Sequence, residues 1–575
     1  MTVSGVEQKL IADVSAARLW EANQAIAQWE RNSGTGEERA AFEYVRGKLD
    51  EYGLRTTLLE HPALISYPLE ASLAVVDGEG AVLAELGCLG AAFSASVDSL
   101  EAEVVDVGYG APDDYAAVDV AGKVVLVNGL ATPSGVYAAE QAGAVGEIFI
   151  NDDHRHYMIV SSIWGTPTPE SAGRIPATPA ISVTARDGHD LRARIAAGRV
   201  WVRLHSHVFM DWQRTPLLIG ELDGQQSEQF VLFSGHLDSW EVGAMDNGSA
   251  NATMLEVGRL LSERCDELHR GLRLIFWSGH SHGRYSGSTW YVDNHWEELH
   301  DRCVAHVNVD STGARGADFY GSFPAHLELS TLGAAVVEQC TGQAAHAHPM
   351  SRAGDMSFNG AGIPALFMSL SQVPFSDADT DYVSQAFGQL IGGKMPWWWH
   401  TAEDTLDKVD LDVLQLDTQV YAVTLWRLCH EPLLPMDFRP VVESLRTTLA
   451  GLDRAAAGHV DLSGLIERAD ALADAVARLR TQCDAVDPDD LAVAGALNRQ
   501  MMGLSRSLIP ILYTAAGPFD HDPAWGLPQL PLLQDLGRLA ALDPLSDEYH
   551  FLRTRLVRNR NQVAFALRQA LEVLT

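Results

Sequence analysis

The sequence has few cysteines, no long apolar run and a shortage of positive charge. Its 575 residues include only six cysteines, which lie far apart and form no Cys-x-x-Cys pair. That spacing favours reduced, buried thiols and argues against both a disulfide framework and a cysteine zinc site. No stretch approaches the roughly 18 uncharged apolar residues of a membrane-spanning helix, so we expect no span.

Lysine and arginine together number 41 against 76 aspartates and glutamates, which gives a formal net charge of −35. The acidic residues are spread along the chain, and such a surface repels nucleic acids and anionic membranes, so we expect neither as a partner. Residues 1–20 have helical period and early charges but lack the continuous apolar segment of a signal peptide. We therefore expect a cytoplasmic protein.

The apolar residues of the chain follow three different patterns in three successive parts of the sequence. Residues 66–215 carry short strands rich in Val, Ile and Ala between turn residues, which indicates a β-rich module. Residues 216–435, preceded by two predicted helices within 1–65, alternate apolar strands with longer helices. This pattern is typical of an α/β fold with a mostly parallel sheet and helices on both faces. Residues 436–575 keep only helical spacing, so we predict a helical domain there.

Side chains that bind metals follow the predicted strands of the α/β part. Residues 235–249 read GHLDSWEVGAMDNGS, in which His236 and Asp238 end a strand and Asp246 precedes a helix. Asp310 ends another predicted strand, and His400 follows three tryptophans. Because the carboxyl ends of parallel strands meet at one edge of a sheet, we expect one metal site from these residues. Asp238 is predicted to orient the imidazole of His236, since ligating histidines usually donate their second N–H to a carboxylate.

These motifs resemble those of the M28 zinc peptidases, in the branch that includes glutamate carboxypeptidase II and the transferrin receptor. Residues 31–40 are similar to that family's N-terminal motif, residues 121–188 to its inserted protease-associated (PA) domain, and residues 496–510 to its helical dimerisation domain. The resemblance implies a zinc-peptidase domain at 1–65 and 216–435, a PA insert at 66–215 and a dimerisation-like domain at 436–575. It also implies a homodimer.

Carried over residue by residue, the resemblance assigns His236, Asp246 and Asp310 to one metal ion, and Asp246 with His400 to a second. In the family a Glu-Glu pair follows the next strand; the first Glu is the general base and the second a ligand of the second metal. Here the predicted strand at 272–277 is followed by SGHSHG, so both glutamates are absent.

Two alignments of this segment are open, because it is one residue longer than the family pattern. Counting forward from Trp277 places His280 at the base position and Ser281 at the ligand position. Counting back from residues 287–289 places Ser281 and His282 there. We predict that His280 acts as the base and His282 binds the second metal, since imidazole is a zinc ligand and also a base near neutrality.

Further residues are candidates for supporting roles. Arg284 and Tyr285 lie just beyond the histidines and Trp399 precedes His400, so we predict that these three contact the substrate. Glu241 is an alternative source of a carboxylate, and Asp355 is another, although we expect it to stabilise a loop. Residues 366–372 contain no arginine where the family binds glutamate, which argues against a glutamate-releasing carboxypeptidase.

The predicted function is hydrolysis of an amide or peptide bond in a small substrate, with zinc at one or two sites or another divalent metal at the second. A histidine replaces the usual glutamate base. Two alternatives stay open: a non-peptidase metalloenzyme of lyase or cyclase type acting on a small molecule, and a receptor-like protein that has lost catalysis. Retention of the four ligands His236, Asp246, Asp310 and His400 favours an enzyme.

Overall fold

The structure, a computed structural model, describes residues 5–350, 354–367, 369–376, 378 and 392–575. One mixed sheet of 14 strands runs through the first two parts of the chain. At its centre, Phe230–His236 lies between Gly271–Trp277 and Cys303–Asn308, and all three are parallel. These strands are buried almost throughout, which explains why they read as continuous apolar runs.

Short strands complete one edge of this sheet. Ala365–Leu366 pairs parallel to Cys303–Asn308, and Ser322–Ala325 and His346–Pro349 lie beyond it. The apolar run at 364–368 predicts a strand, and its last residue, Met368, lies outside the described residues. A separate ribbon joins Val373–Pro374 to Gly393–Lys394.

Helices cover both faces of the central strands, as predicted. Val231 and Phe233 belong to one buried cluster, whereas Leu232 belongs to another on the opposite face. The helices of this domain are Gly5–Asp13, Ala16–Ile26, Gly36–Glu51, Ala250–Ser262, Ser286–Asn294, Trp296–Arg302, Ser330–Thr341 and Leu411–His430. The segment before residue 53 therefore has three helices rather than the two expected, because Ser15 starts a new one by accepting a hydrogen bond from the Arg18 N–H.

Two long antiparallel strands, Arg55–Val76 and Val200–Leu222, connect this domain with the inserted one, and the predicted boundaries at 65/66 and 215/216 fall within them. The insert continues the sheet through strands that are mostly parallel to each other. Its other strands are Val82–Leu86, Cys88–Gly90, Val97–Asp106, Val124–Asn128, Gly146–Ile150 and Ala180–Val183, and its helices are Pro112–Ala117, Pro133–Ala142 and Ala185–Ala197.

The remainder of the chain is helical, as predicted, and shares one continuous hydrophobic core with the first domain. Its helices are Arg439–Ala456, Ser463–Asp484, Leu491–Tyr513, Leu536–Ala541 and Asp547–Val573. The homodimer stays a prediction. Six large apolar side chains are exposed on this domain: Leu491, Val493, Phe519, Leu545, Phe551 and Phe565.

None of the six cysteines is paired; Cys303, Cys429 and Cys483 are buried, whereas the other three are only partly so. Among the described helices, none has the length and apolar character needed to cross a membrane.

A buried carboxyl lies between the first domain and the helical domain. Glu328 accepts a hydrogen bond of 3.0 Å from Ser505 Oγ, and burial raises the pKa of Glu328 from 4.5 to about 7. The folded protein therefore holds a proton here that the unfolded chain releases above its own pKa. The contribution of this carboxyl to the free energy of unfolding is fully present below pH 4.5. That contribution is lost as the pH rises through the folded-state pKa of about 7.

We expect Glu328→Gln to remove this loss of stability at high pH. The free energy of unfolding should rise by about 3 kcal/mol at about pH 8 and change little at about pH 4.5. Urea unfolding at both pH values measures this, with Glu338→Gln on an exposed helix surface as the control. An equal change at both pH values would contradict the interpretation.

Candidate metal centre

The predicted site residues meet at the carboxyl edge of the central strands. His236 is the last residue of Phe230–His236, and Asp310 lies two residues beyond Cys303–Asn308. Asp246 comes from the tight turn before the helix Ala250–Ser262. The parallel register of the strands brings these segments together, as the sequence predicted.

Two carboxylates lie at zinc-ligand spacing from a ring nitrogen of His236. His236 Nε2 is buried, makes no hydrogen bond with the described residues, and lies 3.3 Å from Asp246 Oδ1 and 3.6 Å from Asp310 Oδ1. Ligand atoms of a tetrahedral zinc ion with bonds of 2.0–2.1 Å are about 3.3 Å apart. His236 Nδ1 donates to the carbonyl oxygen of Asp238 at 2.8 Å, which leaves the Nε2 lone pair facing the carboxylates. The donor set and its spacing therefore fit zinc.

Asp246 also reaches a second histidine. Its Oδ2 lies 3.1 Å from His400 Nε2, and His400 Nδ1 donates to the carbonyl oxygen of Tyr157 at 2.7 Å. Asp246 thus stands between His236 and His400 with one carboxylate oxygen toward each. This is the bridging position that the resemblance assigns to it.

The charges of the cluster call for a cation. Burial lowers the pKa of His236, but the carboxylates of Asp310, Asp238 and Asp246 outweigh it and raise that pKa well above its usual value. Burial acts to raise the pKa of Asp246, yet His236 and His400 bring it below the usual range. Buried carboxylates need positive charge nearby, and a divalent metal supplies it.

Two buried side chains that sequence analysis gave no role hold the ligands in place. The Arg31 guanidinium donates to carbonyl oxygens of the loop after His236, which belong to Leu237, Val242 and Gly243. Asp404 accepts from the backbone N–H groups of Met245 and Asp246 at 2.9 and 2.8 Å, and burial raises the pKa of Asp404 to about 7. Arg31 opens the N-terminal motif and Asp404 follows His400 closely, which are the signals that point to them.

The carboxylate of Asp238 has a different task from the one predicted. The ring of His236 bonds the Asp238 backbone carbonyl, whereas the carboxylate oxygen lies 3.7 Å from Nδ1. That carboxylate accepts from Ser33 Oγ and from the N–H of Ser281, at 2.9 and 2.8 Å. Asp238 therefore fixes the turn that carries the histidine pair.

His280 joins the metal centre. Its ring stacks on that of His236 with centroids 3.7 Å apart, and ring nitrogens of both lie within 4.8 Å of each other and of an Asp310 oxygen. Nδ1 of His280 donates to Asp355 Oδ2 at 2.9 Å, and Asp355 is buried. Asp355, which we expected to stabilise a loop, thus holds a site histidine and leaves its Nε2 lone pair free.

His282 lies on the other side of Asp238. Its Nδ1 accepts from the Ser33 N–H at 3.3 Å and lies 3.6 Å from Asp238 Oδ2. Nδ1 also lies 3.0 Å from Ser33 Oγ, so both polar atoms of Ser33 contact this nitrogen. The ring packs against Trp240, with ring centroids 4.3 Å apart. Among the described residues, no carboxylate other than Asp238 lies within 4.0 Å of its ring nitrogens. The structure brings His280, but not His282, to Asp246 and His400.

Two consecutive residues, Arg284 and Tyr285, adopt positive φ values of 49° and 68° before the helix Ser286–Asn294 begins. The chain reverses there, after the histidine pair. The equivalence of these histidines with the Glu-Glu pair stays a prediction.

A cavity of about 260 Å³ opens onto the centre. Arg284, Tyr285 and Trp399, the predicted substrate contacts, line it together with Asp246, His280, Asp310 and His400. Much of the remaining wall is apolar and comes from Met158, Ile159, Trp240 and Met395. Thr132 and Pro133 of the insert contribute as well, so the cavity is closed by both domains.

Comparison with known proteins agrees with this geometry. Residues 218–424 match the model of peptidase family M28, and residues 81–191 match that of the PA domain. The chain therefore carries a peptidase family M28 domain at 218–424. This M28 protein is 25% identical to the probable glutamate carboxypeptidase VP8 of Zea mays over 74% of its own chain and 68% of that protein. It is 26% identical to carboxypeptidase Q of Xenopus laevis over 48% of its own chain and 60% of that protein.

Among solved structures, the M28 protein is similar to an aminopeptidase from Aneurinibacillus sp. strain AM-1. The TM-score is 0.55 at 21% identity, over 74% of this chain and 96% of that one. At this identity the likeness shows the shared fold. The predicted M28 zinc-peptidase fold with a PA insert is thereby confirmed.

Proposed function

We propose that this M28 protein is a zinc-dependent peptidase that cleaves short peptides with apolar side chains. The observation that carries the proposal is the lone pair of His236 Nε2, which faces Asp246 and Asp310 at zinc-ligand spacing where the cavity begins. A cavity of about 260 Å³ lies at the small end of ligand pockets, which favours a short substrate. Its apolar wall favours an apolar side chain. Relatives named as carboxypeptidases and as an aminopeptidase support peptide hydrolysis.

His280 takes the proton of the attacking water in this proposal. Bound zinc would polarise the scissile carbonyl and make that water more acidic. The Nε2 atom of His280 accepts the proton, because Nδ1 is committed to Asp355. Asp355 keeps the ring in this orientation and stabilises the imidazolium that forms. The same Nε2–H then donates to the leaving amine, so the histidine returns to its starting state.

The two metal positions are unequal in this proposal. His236, Asp246 and Asp310 give the first position three ligands, whereas Asp246 and His400 give the second position two. We infer that one zinc ion binds tightly and that a second ion binds more weakly. Ser281, which the forward count from Trp277 places at the family's ligand position, offers no carboxylate at the cavity wall, and this supports the inference.

Arg284 is the one lysine or arginine among the described cavity-lining residues. A guanidinium at this position pairs readily with the terminal carboxylate of a peptide. The apolar wall then receives a side chain of the same short substrate.

The test is a panel of dipeptides incubated with the zinc-loaded protein, with release of free amino acids followed by mass spectrometry. We expect release from apolar dipeptides, and less from charged ones. Matched dipeptides with an acetylated amine or an amidated carboxylate show which terminus is recognised; loss with the amide alone is the result expected if Arg284 pairs with the carboxylate. A zinc-loaded protein that releases no amino acid from any dipeptide would overturn the proposal and favour the lyase or cyclase alternative.

A further inference from the structure

A second cluster of metal-binding side chains lies outside the centre described above. Asp98, His205 and His207 each place one ligand atom within 4.8 Å of the others. Asp98 belongs to the strand Val97–Asp106, and the two histidines belong to the long strand Val200–Leu222. These neighbouring strands are antiparallel and belong to the inserted domain.

Strand geometry places these side chains on one face. His205 and His207 are two residues apart and therefore point to the same side, whereas Ser206 between them is buried on the other. Glu70 lies directly opposite His207 on the paired strand Arg55–Val76. Its Oε1 is 3.5 Å from His205 Nε2, close to the roughly 3.3 Å that separates two ligands of a tetrahedral ion.

The hydrogen bonds of His205 prepare it as a ligand. Its Nδ1 donates to the carbonyl oxygen of Asp98 at 3.1 Å, which leaves the Nε2 lone pair facing Glu70. His236 and His400 at the zinc-peptidase centre show the same arrangement, with Nδ1 bonded to a backbone carbonyl and Nε2 facing carboxylates. A partner of this kind is typical of histidines that bind metals.

His207 and Asp98 complete the cluster. His207 Nε2 donates to Asp98 Oδ1 at 2.8 Å. A cation that displaces this proton would lie between the same two atoms, as metal binding at histidine usually releases a proton. The Asp98 side chain is exposed, so it is free to shift by the few tenths of an ångström that this exchange requires.

We propose that Asp98, His205 and His207, with Glu70 as a fourth ligand, bind one divalent transition-metal ion such as zinc on the surface of the inserted domain. Two imidazoles with carboxylates select such ions over calcium and magnesium, which prefer oxygen ligands alone. The ion would connect three neighbouring strands of the insert. Because the insert also lines the cavity, the ion would stiffen a wall of the peptidase site. This proposal does not depend on the peptidase function.

The test compares bound zinc per chain in the wild type and in His205→Ala/His207→Ala, by plasma mass spectrometry after equilibrium dialysis against micromolar zinc chloride. We expect the double variant to bind one zinc ion fewer per chain and to lose a zinc-dependent rise in Tm that the wild type shows. His346→Ala, at an exposed histidine of another strand, is the control and should match the wild type.

Equal zinc content and an equal zinc-dependent Tm in the wild type and the double variant would overturn the proposal. If the alanine variant is misfolded by circular dichroism, His205→Gln/His207→Gln replaces it, since glutamine keeps the polar surface. Asp98→Asn provides an independent check: it should weaken zinc binding at this cluster and leave the zinc of the peptidase centre in place.

Discussion

Asp310→Ala should remove the tightly bound zinc ion and, with it, peptidase activity. Asp310 Oδ1 lies 3.6 Å from His236 Nε2, at zinc-ligand spacing, and its removal leaves the ion with His236 and Asp246. Losing only a hydrogen-bond partner of a ligand already weakens metal binding by 10- to 100-fold, so loss of the ligand itself should exceed about 100-fold. Because the metal is worth several kcal/mol in the transition state, kcat/KM should fall by about 1,000-fold or more.

Zinc per chain and kcat/KM on an apolar dipeptide measure this prediction together. Asp318→Ala is the matched control, because Asp318 is an exposed aspartate a short distance along the same chain segment. It should keep both the zinc and the activity. An Asp310→Ala protein that retains stoichiometric zinc at low free metal would contradict the assignment of this ligand.

His280→Ala should have the second largest effect, and it should act on turnover rather than on the tightly bound metal. Its Nε2 is the ring nitrogen that Asp355 does not occupy, and a positioned proton acceptor contributes about 100- to 10,000-fold. We therefore expect kcat to fall within that range while the tightly bound zinc ion of the centre remains. Asp355→Asn should have a smaller effect in the same direction, since it disturbs the orientation of the ring but keeps it.

His282→Ala separates the two histidines. Both polar atoms of Ser33 contact Nδ1 of His282, and among the described residues no carboxylate other than Asp238 lies within 4.0 Å of its ring nitrogens. We expect this variant to retain zinc, measured as above, and to lose stability because a buried ring is removed. Zinc loss in His282→Ala with zinc retention in His280→Ala would support the metal role that the sequence predicts for His282. Zinc loss in His280→Ala would instead make His280 a ligand.

The candidate metal ligands could be predicted from the sequence because each lies at the end of a strand or just before a helix, and those positions can be read from the local residue pattern. His236 and Asp310 stand at or just beyond the ends of apolar strands, and parallel strands bring such ends to one edge of the sheet. Asp246 precedes a helix in a glycine-containing loop, and its place follows from the same connection between strand and helix. Strand alternation equally explains why His205 and His207 share one face.

Other features depend on segments that are remote in sequence. Arg31 reaches the loop at 237–243, and Asp355 reaches His280, across 206 and 75 residues respectively. The residue pattern within either segment does not predict these two contacts. Asp355 was therefore expected to stabilise a loop, although the structure places its carboxylate on the ring of a site histidine.

The sequence alone determined the α/β architecture, the helical C-terminal domain and the residues able to bind metal, because hydrophobic period and strand ends are local properties. Only the tertiary structure decided which imidazole nitrogens keep a lone pair for the centre. Nδ1 of His280 donates to a buried carboxylate, whereas Nδ1 of His282 accepts from a backbone N–H. That difference gives two histidines, two residues apart, different surroundings, and it arises from partners that folding brings from distant parts of the chain.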